Sequence, residues 1–156
     1  DGGMVTYIAK FSTPDSCTTH TKPGAQLEPY SSGLGKVLLA SMPQGEIDSF
    51  IMEGELVALT PHTITDRAAL RAELENVRKN GFALDDRESR MDISCVAVPV
   101  RDNEGRTVAS MSVTERPEAM TPQRRDEIKQ ALFDAAAALG RKAFPVGPTL
   151  VSRKAS

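Results

Sequence analysis

Cys95, Ser112 and Thr114 are the residues whose types and spacing most suggest a site. They stand on two apolar runs within DISCVAVPVRDNEGRTVASMSVT, on either side of the polar turn Asp102-Asn103-Glu104-Gly105. Val, Ile and small residues flanking a turn with Gly at its last position are the signature of a β-hairpin. A loop of even length pairs Arg101 with Arg106, sets Cys95 opposite Ser112, and sets Ile93 opposite Thr114. Strand side chains alternate faces, so the thiol and both hydroxyls share one face with Ile93 and Ala97. Small-molecule sites are built this way, apolar with a few polar handles. A loop of odd length would turn one strand over and scatter the three. Taken alone, the hairpin is better explained by short polar side chains filling a tight core.

Gly33-Leu34-Gly35-Lys36 has only a superficial likeness to a phosphate loop. The Walker spacing and the Ser/Thr after Lys are missing, so nucleotide binding is rejected. A helix start still offers N–H groups to an anion such as a carboxylate, and glycine lets a ligand approach closely. Close helix–sheet packing explains the glycines equally well. Asp85, Asp86 and Glu88 form an acidic cluster at a strand end. Paired carboxylates suit acid–base work, yet a solvated turn beside Arg87 and Arg90 is the stronger reading. Cys95 needs a base to act as a nucleophile. His20 and His62 fall in predicted loops without a tie to it, so an inert buried thiol is expected. Isolated Cys17, Cys95 and two histidines make no zinc pattern. No catalytic residue, metal or cofactor is assigned.

The elements that must position these groups follow from periodicity. Residues 5–11 (VTYIAKF) read as a strand, 12–19 as a polar loop, and 21–27 as a second strand around Pro23-Gly24. A short helix over 36–41 follows Ser31-Ser32-Gly33-Leu34-Gly35, with either serine as its cap. Pro43 opens another helix through about Glu53. Residues 59–65 are a turn-like connection, after which Thr65 or Asp66 caps a helix to Asn80 that Gly81 closes. Its buried stripe is Leu70, Leu74 and Val77. Residues 82–84 form a short strand before the acidic cluster. Thr121-Pro122 opens a last long helix with the stripe Ile128, Leu132, Ala135 and Leu139. Pro99 inside a strand suggests a sheet edge, which is a candidate assembly surface. Adjacent strands joined by a tight hairpin make this an α+β chain with an antiparallel sheet.

At 156 residues the chain fits one domain with a real core. It is 40% hydrophobic and 26% charged, but only 4% aromatic with no Trp, so aliphatic residues and Met must fill that core. A net charge of -2 argues against nucleic-acid binding by this segment itself. No apolar run approaches membrane-span length and no signal peptide is evident, so a reduced, cytoplasmic setting is expected. The chain opens Asp1-Gly2-Gly3 without an initiator Met and is expected to be a piece of something longer.

Four segments, taken in order, resemble the C-terminal effector-binding domain of IclR-family bacterial transcriptional regulators. They are SSGLGKVLLA (31–40), LTPHTIT (59–65), LRAELENVRKNGFALDDRE (70–88) and ISCVAVPVRDNEGRTVASMSVT (93–114). Each is weak singly; the ordered set is specific. The resemblance implies a GAF-like α+β fold, a central antiparallel β-sheet with helices packed on both sides. It implies an effector-binding domain over 1–144, with the DNA-binding winged helix-turn-helix on an N-terminal domain outside this chain; residues 145–156, with Pro, Gly and basic residues, read as a loose C-terminal tail. It further implies a homodimer or tetramer that senses a small organic acid (keto, hydroxy or aromatic). The residues matching the family's ligand contacts are Gly33 and Leu34 at the helix start, Asp85 at the strand end, Cys95, Ser112 and Thr114. Leu27 and its neighbours line the implied pocket mouth, where Glu28-Pro29-Tyr30 departs from the family's usual run. Asp85 is unsuited to meeting an anion and is expected to accept from a ligand hydroxyl or nearby backbone. The competing readings are a GAF-like enzyme using Cys95 and an oligomerisation module without a ligand.

Overall fold

The computed structural model describes residues 4–12 and 21–143. Cys17, His20 and the tail from Pro145 lie outside them. Strands β1 (Val5–Thr6) and β2 (Gln26–Leu27) form a small antiparallel pair. Helices α1 (Gly33–Ala40), α2 (Gln44–Glu53) and α3 (Arg67–Asn80) follow, then strands β3 (Ala83–Asp86), β4 (Ser94–Arg101) and β5 (Thr107–Glu115). A short 3-10 turn leads into α4 (Pro122–Ala143). The antiparallel sheet runs in the order β3-β4-β5, with helices on both faces. This is the expected α+β architecture.

The alternation of β4 decides which helix covers which face. Val96, Val98 and Val100 pack with Ile128, Leu132 and Ala136 of α4. Ala97, with Ala83 of β3, belongs to the opposite core with Leu34, Val37, Leu70, Leu74 and Val77. The α1 face is thus paved with small residues. A Cβ on Gly33 would lie 3.2 Å from the Ala97 Cβ and 3.3 Å from Cys95 Sγ, so the start of α1 rests almost on the sheet. On the other side of that helix a Cβ on Gly35 would fall 2.2 Å from the Pro29 carbonyl oxygen.

Several elements differ from expectation. The first two strands shrink to two residues each: Tyr7 still packs on the core, but Ile8 and Phe11 are largely exposed. Helix α1 begins at Gly33, not at residue 36, because the Ser32 hydroxyl accepts from the Gly35 amide and starts the helix there. Asp66 and Gly81 bound α3 as expected, with Gly81 at φ 77. Strand β3 runs on to Asp86, which places Asp85 inside the ladder. The α4 stripe is Ile128, Leu132, Ala136 and Gly140, while Ala135 and Leu139 face out. A Cβ on Gly140 would lie 2.2 Å from the Arg101 carbonyl oxygen, so the helix turns its smallest residue toward the hairpin.

The hairpin register is also corrected. Arg101 pairs with Thr107, so the loop is odd in length, with Gly105 at φ 77. A bulge between that pair and Val100–Ala109 then inserts one extra residue in β5 and restores the parity. Beyond it Ala97 faces Ser112 and Cys95 faces Thr114. Ile93 therefore does not oppose Thr114. Strand β4 is central rather than an edge, but β3 reaches only from Asp86 to Ala83, opposite Ser94 to Ala97. Pro99 sits past its end, where one side of β4 has no ladder to break.

Candidate functional site

Asp85, Cys95 and Thr114 form one row across the three strands, and Ala83, Ala97 and Ser112 form the next. Alternate residues share a face, so Asp85, Cys95, Ser112 and Thr114 all point toward α1. The packing around Gly33 bears this out, since a Cβ there would meet Ala97, Cys95 and the Asp85 amide. Ser110, on the same face, donates to the Leu34 carbonyl at 3.1 Å and ties β5 to the first turn of α1. Of the expected site residues, Gly33, Leu34, Asp85, Cys95, Ser112 and Thr114 come together here. Leu27, at the end of β2, packs on the same core from its rim.

Local structure leaves donors at this place. The α1 ladder begins with the Lys36 amide on the Ser32 carbonyl, and the Ser32 hydroxyl takes Gly35. The amides of Gly33 and Leu34 come earlier and lie at the positive end of the helix. Beside them, Cys95 is buried and reduced. Burial, and secondarily the charge of Asp85, push its thiol up to about 11, while bonds with the Thr114 and Ser112 hydroxyls pull it back. It is a protonated, weakly nucleophilic group with two hydroxyl neighbours. His62 lies exposed in the α2–α3 connection.

Asp85 has a different job. Its Oδ1 accepts from the amides of Glu88 (2.8 Å) and Ser89 (3.2 Å), and its Oδ2 accepts from the Ser89 hydroxyl. Burial raises its pKa, and these bonds hold it back. The carboxylate thus caps its own turn, in which Arg87 takes φ 62. The expectation of a solvated acidic turn is corrected here. Asp86 does pair with Arg87 at the surface, but Asp85 and Glu88 are buried.

Lys36 explains why Glu88 is inside. Its Nζ is fully buried, 2.7 Å from Glu88 Oε1 and 3.0 Å from Glu73 Oε1. Burial nevertheless outweighs Lys36 and pushes the Glu88 carboxyl up to about 7, with Oε2 buried and unpartnered among the described residues. Thr60 and Thr63, from the LTPHTIT connection, donate to the carbonyls of Arg87 and Glu88, each at 2.6 Å. Sequence reasoning misses these residues and half-buried Tyr7. The Tyr7 phenol is pushed up mainly by burial and then by nearby Cys95 and Asp85, which puts it beside the row. A lysine among apolar residues is the available signal for Lys36; the threonines give none.

The family described as "Bacterial transcriptional regulator IclR C-terminal" matches residues 1–141. The chain belongs to the IclR family. Among IclR-type relatives, it is 31% identical over 141 residues to the regulator XynR of Escherichia coli, covering 90% of this chain and 56% of XynR. The repressor AllR of Escherichia coli is 31% identical over 126 residues, covering 78% of this chain and 46% of AllR. The chain spans about half the length of these curated relatives. IclR of Thermotoga maritima superposes with a TM-score of 0.85 at 34% identity, covering 91% of this chain and 57% of that one. A double mutant of the inducer-binding domain of PobR from Acinetobacter, in complex with 3-hydroxybenzoic acid, superposes with a TM-score of 0.80 at 26% identity, covering 89% of this chain and 82% of that one. The chain is thus the effector-binding domain of an IclR-type regulator. Its relatives are named as transcriptional regulators, and among the described residues no helix is long and apolar enough to cross a membrane.

Proposed function

We propose that this domain binds a small organic acid (a keto, hydroxy or aromatic acid) between the start of α1 and the β4–β5 face. The carboxylate meets the Gly33 and Leu34 amides and the Ser112 and Thr114 hydroxyls. Cys95 and Leu27 contact the body of the ligand. Asp85 is occupied with its own turn and stays clear of the carboxylate, taking at most a ligand hydroxyl. The observation that carries this reading is the placing of Cys95, Ser112 and Thr114 on the sheet face directly beneath the first turn of α1. The double-mutant PobR domain bound to 3-hydroxybenzoic acid supports the aromatic-acid option. The packing of Gly33 on Cys95 and Ala97 means that entry of a ligand moves α1 relative to the sheet. In the full-length regulator, as a homodimer or tetramer, that movement alters the spacing of N-terminal DNA-binding domains and hence transcription.

The thiol held near 11, with no histidine beside it among the described residues, weighs against an enzyme using Cys95. Calorimetric titration with pyruvate, glyoxylate, a sugar acid and 3-hydroxybenzoate tests the reading. One class should bind saturably, and Ser112→Ala should weaken it by about 1–3 kcal/mol by leaving a ligand oxygen unpaired. Equal affinity in that variant removes Ser112 from the site.

A further inference from the structure

The far end of α1, about 10 Å from Gly33 by helical rise, borders a second feature. There the last turn of α3, the start of α2 and the β4–β5 hairpin enclose an open groove of about 630 Å³. It lies where β3 has run out, so Pro99, Val37 and Val77 form an apolar floor with no strand above them. Three arginines reach it from three elements: Arg78 from α3, Arg101 from β4 and Arg106 from the hairpin loop. No carboxylate is among its lining residues.

The arginines are not equivalent. Arg106 is bridged to both Asp102 at 2.8 Å and Glu104 at 3.0 Å, so these three groups together bring no positive charge to the groove. Arg78 is pinned on all three nitrogens, Nε donating to the Ala40 carbonyl at 2.8 Å, Nη2 to the Met42 carbonyl at 2.6 Å and Nη1 to Gln44 Oε1 at 3.2 Å, which leaves one N–H on each Nη for a ligand. Arg101 uses one N–H on the Gly105 carbonyl at 2.9 Å. Among the described residues neither Arg78 nor Arg101 forms a salt bridge with a carboxylate, so both guanidiniums border the groove without a direct ionic partner. The rim adds to this. Helix α2 starts there from Pro43, which supplies no side-chain cap to its first amides. Thr107, at the groove wall, holds a buried hydroxyl with no partner among the described residues.

We propose that this groove is a second small-molecule site, taking an oxyanion held between Arg78 and Arg101. Planar guanidinium forks suit carboxylates and phosphates alike, and the apolar floor suits a short hydrocarbon body. The site is separate from the Cys95 row and does not depend on the reading of that row. Amide chemical shifts, followed while inorganic phosphate or, separately, acetate is added at constant ionic strength, test the proposal and distinguish the two anions. Saturable shifts should cluster at Gln44, Arg101, Gly105 and Thr107. Arg101→Gln, a surface change at a residue with one described bond, should weaken binding about tenfold, with Arg101→Lys intermediate. Ser112→Ala should leave it unchanged. Non-saturating shifts for both anions, equal affinity in Arg101→Gln, or loss of binding in Ser112→Ala overturns the assignment.

Discussion

Replacing Lys36 by Met keeps the length of a buried side chain and removes only its charge. The consequence depends on pH, and the structure sets the dependence. Glu88 titrates near 7 in the folded chain against about 4.5 ordinarily, so the folded chain holds more protons between those values. Wild-type stability from this group therefore falls as pH rises from about 4.5 to 7 and levels off above. Below pH 6, Glu88 carries its proton in both proteins, and the variant loses only the contacts to Glu73 and to a neutral carboxyl, about 1–2 kcal/mol. Above pH 7 the wild-type carboxylate ionises 2.7 Å from Lys36. In the variant it must stay protonated or sit buried and unpaired. The deficit then grows by about 1.4 kcal/mol per pH unit, reaching about 4 kcal/mol near pH 9, within the range for breaking a buried pair. Urea unfolding of both proteins at pH 5.5, 7 and 8.5 measures this, and the Lys36→Met, Glu88→Gln double variant should remove the added slope. A deficit that is constant with pH, or that shrinks as pH rises, refutes the reasoning.

Other expectations concern the close approaches. Gly35→Ala puts a methyl into the Pro29 backbone and Gly140→Ala puts one into the Arg101 carbonyl; each should lower unfolding free energy by about 3 kcal/mol by denaturant melt. Gly33→Ala should differ. The reduced backbone freedom of the unfolded chain, worth about 0.4–1 kcal/mol, offsets mild crowding against Ala97 and Cys95, so stability stays nearly level while acid binding, measured by calorimetry, falls at least about tenfold. Cys95 should react with a disulfide reagent at neutral pH at least about tenfold more slowly than in the unfolded chain, since its thiol is buried and sits near 11; an equal rate would show the thiol to be accessible.

Much of the fold was legible because its signals are local. The Asp66 cap, Gly81 and the Leu70, Leu74, Val77 stripe fixed α3, and the alternation of β4 and β5 fixed which face each residue takes. The site constellation survived a wrong register for a physical reason. The loop is odd, but the bulge at Val100/Arg101 adds a second odd step, so Cys95, Ser112 and Thr114 still share a face. Neither step has a compositional mark that periodicity detects. What sequence missed depends on long-range contact. Gly140 reads as a weak helix former until the hairpin backbone beneath it is seen. Glu88 reads as solvated until Lys36, far away in the chain, is found against it. Tyr7 falls in a segment read as a longer strand than the Val5–Thr6 pair that forms, and only its neighbours Cys95 and Asp85 give it meaning.

The central claim is that the face beneath α1 receives a small carboxylate. The most direct measurement is the thermal shift of this chain against a concentration series of small organic acids, run beside Ser112→Ala and Arg101→Gln. A dose-dependent rise for one class of acid, lost in Ser112→Ala and kept in Arg101→Gln, is the predicted result. No rise for any acid with a stable oligomer present, or a rise that Ser112→Ala leaves intact, contradicts it.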